Sequence, residues 1–391
     1  MSFRPIAGLL ACVAIFCAGC RRAVELEYVA SKDELYLDLS EELQTQIRDL
    51  LREYCGTPAN PKLLGDESAD RFHLRRGASI YQERCAACHG VTGDGAGPAA
   101  EYLYPRPRDY RRGTFKFTST TDRSKARRED LRRTIRHGAK GTSMPSFALL
   151  PDDDIEAVLD YVLALTHRGE LEMQLAVEAS NEDEIAPDAV PGLINEILKP
   201  WNEARGNVTM PLTKPPPYDD ESIALGKKAF LTEQGSCFKC HGADGTGKTT
   251  ENAKGFNDVW GFKTRAADLT SGKFHGGNRP VDIYRRILSG IKGTPMPSFQ
   301  QTLAEQPDTF WHLVHYVQFV SGARRRDVVA HQLKPTGATA ATTPQSNEAD
   351  ESPTAADAPK TDEQPATDEA PKTDDDQPNA GDAPATDDQD E

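Results

Sequence analysis

The sequence predicts an all-α fold: two like helical domains in tandem, joined by a partly helical linker and followed by a disordered C-terminal tail. Three observations predict it. The pentapeptide Cys85-Ala86-Ala87-Cys88-His89 returns as Cys237-Phe238-Lys239-Cys240-His241. A methionine followed by proline stands 55 residues after each histidine, Met144 after His89 and Met296 after His241, in a chain with five methionines in all. Between these landmarks Asp130, Leu131, Ile135 and Gly138 match Asp282, Ile283, Ile287 and Gly290 at a constant offset of 152. A length of 391 residues fits two or three domains.

The N-terminal segment reads as a targeting signal over 1–19. Arg4 precedes an apolar run from Pro5 to Gly19, too short to span a bilayer and long enough for a signal core. It ends Cys17-Ala18-Gly19-Cys20, which resembles the bacterial lipobox, with Cys20 the lipidated first mature residue. The departure is Cys17, where that pattern carries leucine. The alternative is cleavage near Gly19 or Ala23 and a soluble periplasmic protein. Either route leads to export and the periplasmic side of a bacterial membrane.

Residues 20–65 form a helical extension. Ser40 is placed as an N-cap, and Leu43, Ile47, Leu50 and Leu51 follow with helical spacing, a stripe expected to pack on the first domain. The first domain spans 66–168. A helical approach from Arg76 to Arg84 leads into Cys85, and Gly90, Gly93 and Gly95 suit a tight loop after His89. Arg106, Asp109, Gly113 and Phe115 match Arg265, Asp268, Gly272 and Phe274 at an offset of 159, so the second domain gains seven residues before this segment. Asp130 and Asp282 are each placed as the N-cap of a short helix ended by glycine. A final helix follows each methionine. Asp152, Asp153 and Asp154 suit its positive end, with Ile155, Val158, Leu159 and Val162 as the apolar stripe; Phe310, Leu313, Val314 and Val317 are the counterparts.

The linker, 169–218, carries one helical pattern (Leu193, Ile194, Ile197, Leu198, Trp201) and ends in Pro215-Pro216-Pro217. The second domain spans 219–325 and the acidic tail 326–391. The formal charge of −15 belongs to that tail: from Ser346 to Glu391 sixteen carboxylates face two lysines, which leaves the body near neutral. Within the body, 106–140 is strongly basic, including the run from Arg123 to Arg128. The functional reading is a docking face for an acidic redox partner, the bland one a solvated loop. Nucleic acid is not expected as a partner of an exported chain.

C-x-x-C-H is the attachment signature of covalently bound c-type haem: each thiol adds to a vinyl group and the histidine ligates the iron. A zinc site would need four ligands, and each pentapeptide offers three; a dithiol redox pair does not require the histidine. The sixth iron ligand of small haem domains of this kind is a downstream methionine, which assigns Met144 and Met296. His137 competes with Met144 on proximity, but its counterpart is Ser289. The cofactor residues are therefore Cys85, Cys88, His89 and Met144, and Cys237, Cys240, His241 and Met296, the iron ligands being His89, Met144, His241 and Met296. Cys55 is left over and expected to be buried. Met173 and Met210 read as packing residues, and His275, His312 and His315 as surface or core histidines. Arg106 and Arg265 are candidates for pairing with haem propionates.

Each half resembles a class I cytochrome c domain, and together they resemble the tandem dihaem cytochromes c of bacterial respiratory chains. The resemblance covers 66–168 and 219–325. It implies two covalently bound haems c, histidine–methionine ligation and single-electron relay between redox partner proteins, in the direction of a terminal oxidase or within a larger complex. Two other functions are carried as alternatives: a dihaem enzyme, such as a peroxidase or sulfur-compound oxidase, and a structural or sensory lipoprotein. The first alternative needs an iron with an open or altered sixth position, against which the matched methionine loops argue.

Overall fold

The N-terminal described segment begins with helix α1 (Glu34–Leu37), capped by Asp33, and helix α2 (Glu41–Cys55). The Ser40 hydroxyl accepts the Leu43 amide at 3.3 Å, the predicted cap, and Ile47, Leu50, Leu51 and Cys55 are buried. A two-residue ribbon, β1 (Gly56–Thr57) with β2 (Asn60–Pro61), turns the chain into the first repeat. This is a computed structural model that describes residues 27–66, 70–182, 184–233 and 235–333, with side chains to residue 322. The predicted signal, the Cys20 lipid site and the acidic tail beyond 333 lie outside the described residues.

The first repeat comprises α3 (Arg71–Arg84), α4 (Ala86–His89), α5 (Arg128–His137) and α6 (Asp152–Glu182). After α7 (Val190–Ala204), the second comprises α8 (Asp220–Leu231), α9 (Cys237–His241), α10 (Thr250–Lys254), the ribbon β3 (Phe256–Asn257) with β4 (Lys263–Thr264), α11 (Pro280–Ser289) and α12 (Thr309–Leu333). The protein is helix-rich, as predicted, and the two short ribbons are additions to that reading. Each repeat is built on one helix crossing, α3 on α6 and α8 on α12. A glycine makes each crossing close. A Cβ at Gly77 would overlap the Ala157 carbonyl oxygen, and one at Gly226 would overlap that of His312. Beside the crossings Tyr81 packs on Tyr161 with ring centroids 5.2 Å apart, and Phe230 on Tyr316 at 5.1 Å. Replacing Gly77 or Gly226 by alanine is expected to lower unfolding free energy by about 1–3 kcal/mol through overpacking. A denaturation midpoint unchanged by either substitution would show that the helices part without cost.

Helix α6 does not stop near 168. It continues to Glu182, and Leu171, Leu175, Ala176 and Ala179 form a second core with Ile47, Leu51, Val190, Ile194 and Ile197. The N-terminal extension thus packs on the continuation of α6 and on α7. Burying each such leucine or isoleucine is worth about 1.5–3 kcal/mol relative to exposure, which favours a fixed arrangement of 169–204 over a flexible tether. Where α6 passes between the two cores it buries Arg168 against the Tyr28 ring, 4.6 Å away, and 3.6 Å from Glu172. Helix α12 likewise runs past 325, into the first residues of the predicted tail.

The short helices begin three residues earlier than the sequence reading has them. Asp130 and Asp282 occupy the third helical position, not the N-cap. Asp130 accepts the amides of Arg127 (3.3 Å) and Ser119 (2.7 Å), half of a capping box. In α11, Pro280 supplies the favoured first position. The described residues lie within one compact unit. Among them no helix is long and apolar enough to cross a membrane.

Candidate functional site

The C-x-x-C-H segments sit where each repeat's first helix breaks. The Cys85 amide still bonds to the Tyr81 carbonyl (2.8 Å), then α4 carries Cys88 and His89 inward before Gly90 ends the turn. His89 is buried, and its Nδ1–H donates to the Arg108 carbonyl at 3.1 Å. Tyr110 stacks on the ring with centroids 4.9 Å apart. In the second repeat His241 Nδ1–H donates to the Ala267 carbonyl at 3.0 Å. Arg108 and Ala267 are related by the same offset of 159 as Arg106 and Arg265. Donation from Nδ1 fixes the tautomer and leaves Nε2 with its lone pair, the state in which imidazole ligates a metal. Burial pushes both imidazoles below their ordinary pKa, so each is neutral near pH 7.

The methionine loops are tied down in the same way. The Ala139 amide bonds to the Met144 carbonyl (3.3 Å) and the Ile291 amide to that of Met296 (3.1 Å). The Met144 amide donates to Thr142 Oγ1 (3.1 Å) and the Met296 amide to Thr294 Oγ1 (3.3 Å). Ser146 Oγ reaches the Arg136 carbonyl and Ser298 Oγ that of Leu288, at 2.8 and 2.7 Å. Gly138 and Gly290, both at positive φ, close the preceding helix against the loop; a Cβ at either would strike the carbonyl of Met144 or Met296. Both methionine side chains are half-buried. Phe147 in the first loop borders the same apolar core as Cys85 and Ala86, and Phe299 the same core as Cys237 and Phe238. The two ligand segments of each repeat therefore flank one core.

The sequence profile of the family described as cytochrome C oxidase, cbb3-type, subunit III matches residues 73–162, which bracket Cys85 to Met144. The chain belongs to the c-type cytochromes. Among solved structures this cytochrome is similar to a chain of the Kuenenia stuttgartiensis reducing HAO-like protein complex. The two are 30% identical with a TM-score of 0.50, over 63% of the cytochrome and 95% of that chain. A comparison with curated proteins found no match.

A covalent haem fits the donor set in the cytochrome's first repeat. None of the four cysteines is in a disulfide, and burial, reinforced by Cys88, pushes the Cys85 thiol up to about 12; burial takes Cys237 to about 11. A dithiol redox pair works through thiolates of lowered pKa, the opposite arrangement. Nor does zinc fit: among the described residues no group of three or more His, Cys, Asp or Glu side chains is disposed to hold a metal ion. Cys55, also pushed up to about 12 by burial, is an inert core residue, as expected.

The other candidates of the sequence go elsewhere. His137 is exposed at the end of α5. His312 and His315 both meet Ser222 Oγ through Nδ1 at 2.7 Å, and His275 bonds to the Lys140 carbonyl. Arg106 lies over the Phe262 ring, and Arg265 contacts the Ala253 carbonyl at 3.5 Å. Met173 and Met210 are exposed at 37% and 65%, which corrects their reading as packing residues.

The basic stretch 106–140 is partly paired within the chain. Arg128 and Arg132 pair with Glu156, Arg136 with Asp152, Lys125 with Glu170, Lys116 with Asp258 and Arg133 with Asp282. Much of its charge is matched inside the chain, and its last two pairs join the two repeats. An acidic docking partner would compete with carboxylates already in place.

Sequence reasoning missed Arg108 and Ala267, whose carbonyls orient the histidines. The signal was present, since both sit inside the matched Arg-x-x-Asp segments. Trp260 was missed because it lies in the seven extra residues of the second repeat, which have no counterpart to align.

Proposed function

We propose that this cytochrome holds two covalent haems c and relays single electrons between redox partner proteins on the periplasmic side of a bacterial membrane, anchored there through a lipid on Cys20. The observation that carries the reading is the second repeat: His241 and Met296 are tethered by the same backbone bonds as His89 and Met144. Cys85, Cys88, His89 and Met144 would hold one haem, and Cys237, Cys240, His241 and Met296 the other. Each bound haem supplies a one-electron Fe(III)/Fe(II) couple. The chain's own groups keep the histidine neutral and oriented, hold the methionine loop that would supply a soft thioether, and flank both with apolar side chains. A haem held by both a histidine and a methionine would keep no place for substrate, which supports a carrier over a peroxidase or sulfur-compound oxidase. The similar chain belongs to a protein complex, and this supports a role as the haem-bearing partner of a larger redox assembly. Potentiometric titration of the purified full chain is expected to resolve two one-electron components. A single component, or rapid turnover of peroxide, would contradict the relay.

A further inference from the structure

The seven residues that the second repeat gains fall in the ribbon β3–β4, whose turn Asp258–Phe262 bridges its own repeat and the first. Arg108 stacks its guanidinium on the Trp260 ring, 3.5 Å from the centroid, and Lys116 lies 5.5 Å from it. Arg112 donates to the Val259 carbonyl at 3.0 Å and Lys116 pairs with Asp258 at 3.4 Å. The opposite edge of the indole presses on Gly293, where any Cβ would overlap it, and the Val259 amide bonds to the Gly293 carbonyl at 3.1 Å. Arg108 is the residue whose carbonyl holds His89, and Gly293 lies three residues before Met296. A second contact repeats the theme: His275 of the second repeat bonds to the Lys140 carbonyl and borders Gly141, three residues before Met144.

We infer that Trp260 is a positioning residue that couples the two iron sites, joining the loop that orients His89 to the loop that presents Met296. The inference deepens the two-haem reading and rests on it. A guanidinium–indole stack this close, in partly desolvated surroundings, is among the stronger cation–π arrangements. Outer residues that orient a ligating histidine tune the metal's properties through that hydrogen bond. A change at either loop is thus felt at the other, and the coupling is reciprocal. Among the described residues the Trp260 indole N–H has no hydrogen-bond partner. The ring, not the N–H, makes these contacts; phenylalanine keeps a ring face for Arg108 but lacks the Cη2 edge that meets Gly293, and alanine keeps neither.

The test uses the full haem-loaded chain as wild type, Trp260→Ala and Trp260→Phe. Haem is counted by pyridine haemochrome, both midpoints are taken by spectroelectrochemistry, and amide hydrogen exchange is followed at 108–110 and 291–294. Trp260→Ala is expected to change electron affinity at both sites by about fivefold, or about 40 mV at ~59 mV per tenfold for one electron, and to raise exchange in both loops. Trp260→Phe is expected to keep the exchange of 108–110 near wild type and to raise that of 291–294. One haem per chain overturns the two-haem reading and this inference with it. Two haems with midpoints and exchange unmoved in Trp260→Ala overturn the inference alone, and exchange at 108–110 raised as much by phenylalanine as by alanine contradicts the role given to the ring face.

Discussion

Substituting Met144 by histidine is expected to lower one of the two midpoint potentials by at least about 0.1 V, within the ~0.8 V span that axial ligands can set, and to abolish that haem's methionine-to-iron absorption band. Met296→His should do the same to the other haem, with at most the smaller shift carried through Trp260 at the first. The direction follows from ligand chemistry: a thioether is a soft, weak donor that favours the ferrous iron, and an imidazole favours the ferric. That each variant acts mainly on its own haem follows from the loops. Each methionine loop is held through backbone bonds to Ala139 or Ile291 and a threonine hydroxyl, none of which involves the side chain replaced. Met173→Leu and Met210→Leu, at exposed positions away from the loops, should leave both potentials where they are. A potential that ignores its methionine substitution would show that another residue ligates that iron.

Replacing Asp282 by alanine is expected to cost about 1.5–3 kcal/mol, the usual worth of hydrogen bonds to a charged group. Its carboxylate is almost fully buried and accepts from Arg279 Nε at 2.9 Å, Arg279 Nη2 at 3.0 Å and Arg133 Nη1 at 3.1 Å. Arg133 comes from the first repeat, so the loss loosens the contact between repeats as well as the start of α11. Burial alone would push the Asp282 carboxyl up, but the bonds and charges of Arg279 and Arg133 bring it net below the usual aspartate range. A folded-state pKa below the unfolded value means the stabilisation is fully present above the unfolded pKa of about 3.9 and is lost as pH falls through the folded value. The difference in melting temperature between wild type and Asp282→Asn should therefore be constant near neutral pH and shrink below about pH 4. A difference that persists unchanged at pH 2 would place the effect in packing.

Local patterns were the most legible part of the chain. Ser40 caps α2, the acidic start of α6 lies at Asp152, and the stripes at Ile155–Val162 and Phe310–Val317 are buried as read. These depend on residues within one or two turns of each other. The misreadings have a common physical origin in partners distant along the chain. The basic stretch resembled a free face because its partners stand 28 residues away for Arg128 with Glu156 and 149 for Arg133 with Asp282. Arg168 and Glu172, charged residues that read as solvated, stand where the first domain was ended at 168, although they are buried against each other and Arg168 against Tyr28. An aspartate at the third helical position has the same composition signal as one at the N-cap, so Asp130 and Asp282 were placed three residues off. Strands of two residues, as in β3 and β4, are too short to show alternation, and the turn they carry was invisible.

The central claim is that the chain closes two irons with four of its own residues. Spin-quantified electron paramagnetic resonance of the fully oxidised full-length holoprotein tests it most directly. The account predicts two low-spin ferric centres per chain and no high-spin signal. One centre per chain, or a high-spin signal of comparable intensity, would contradict it.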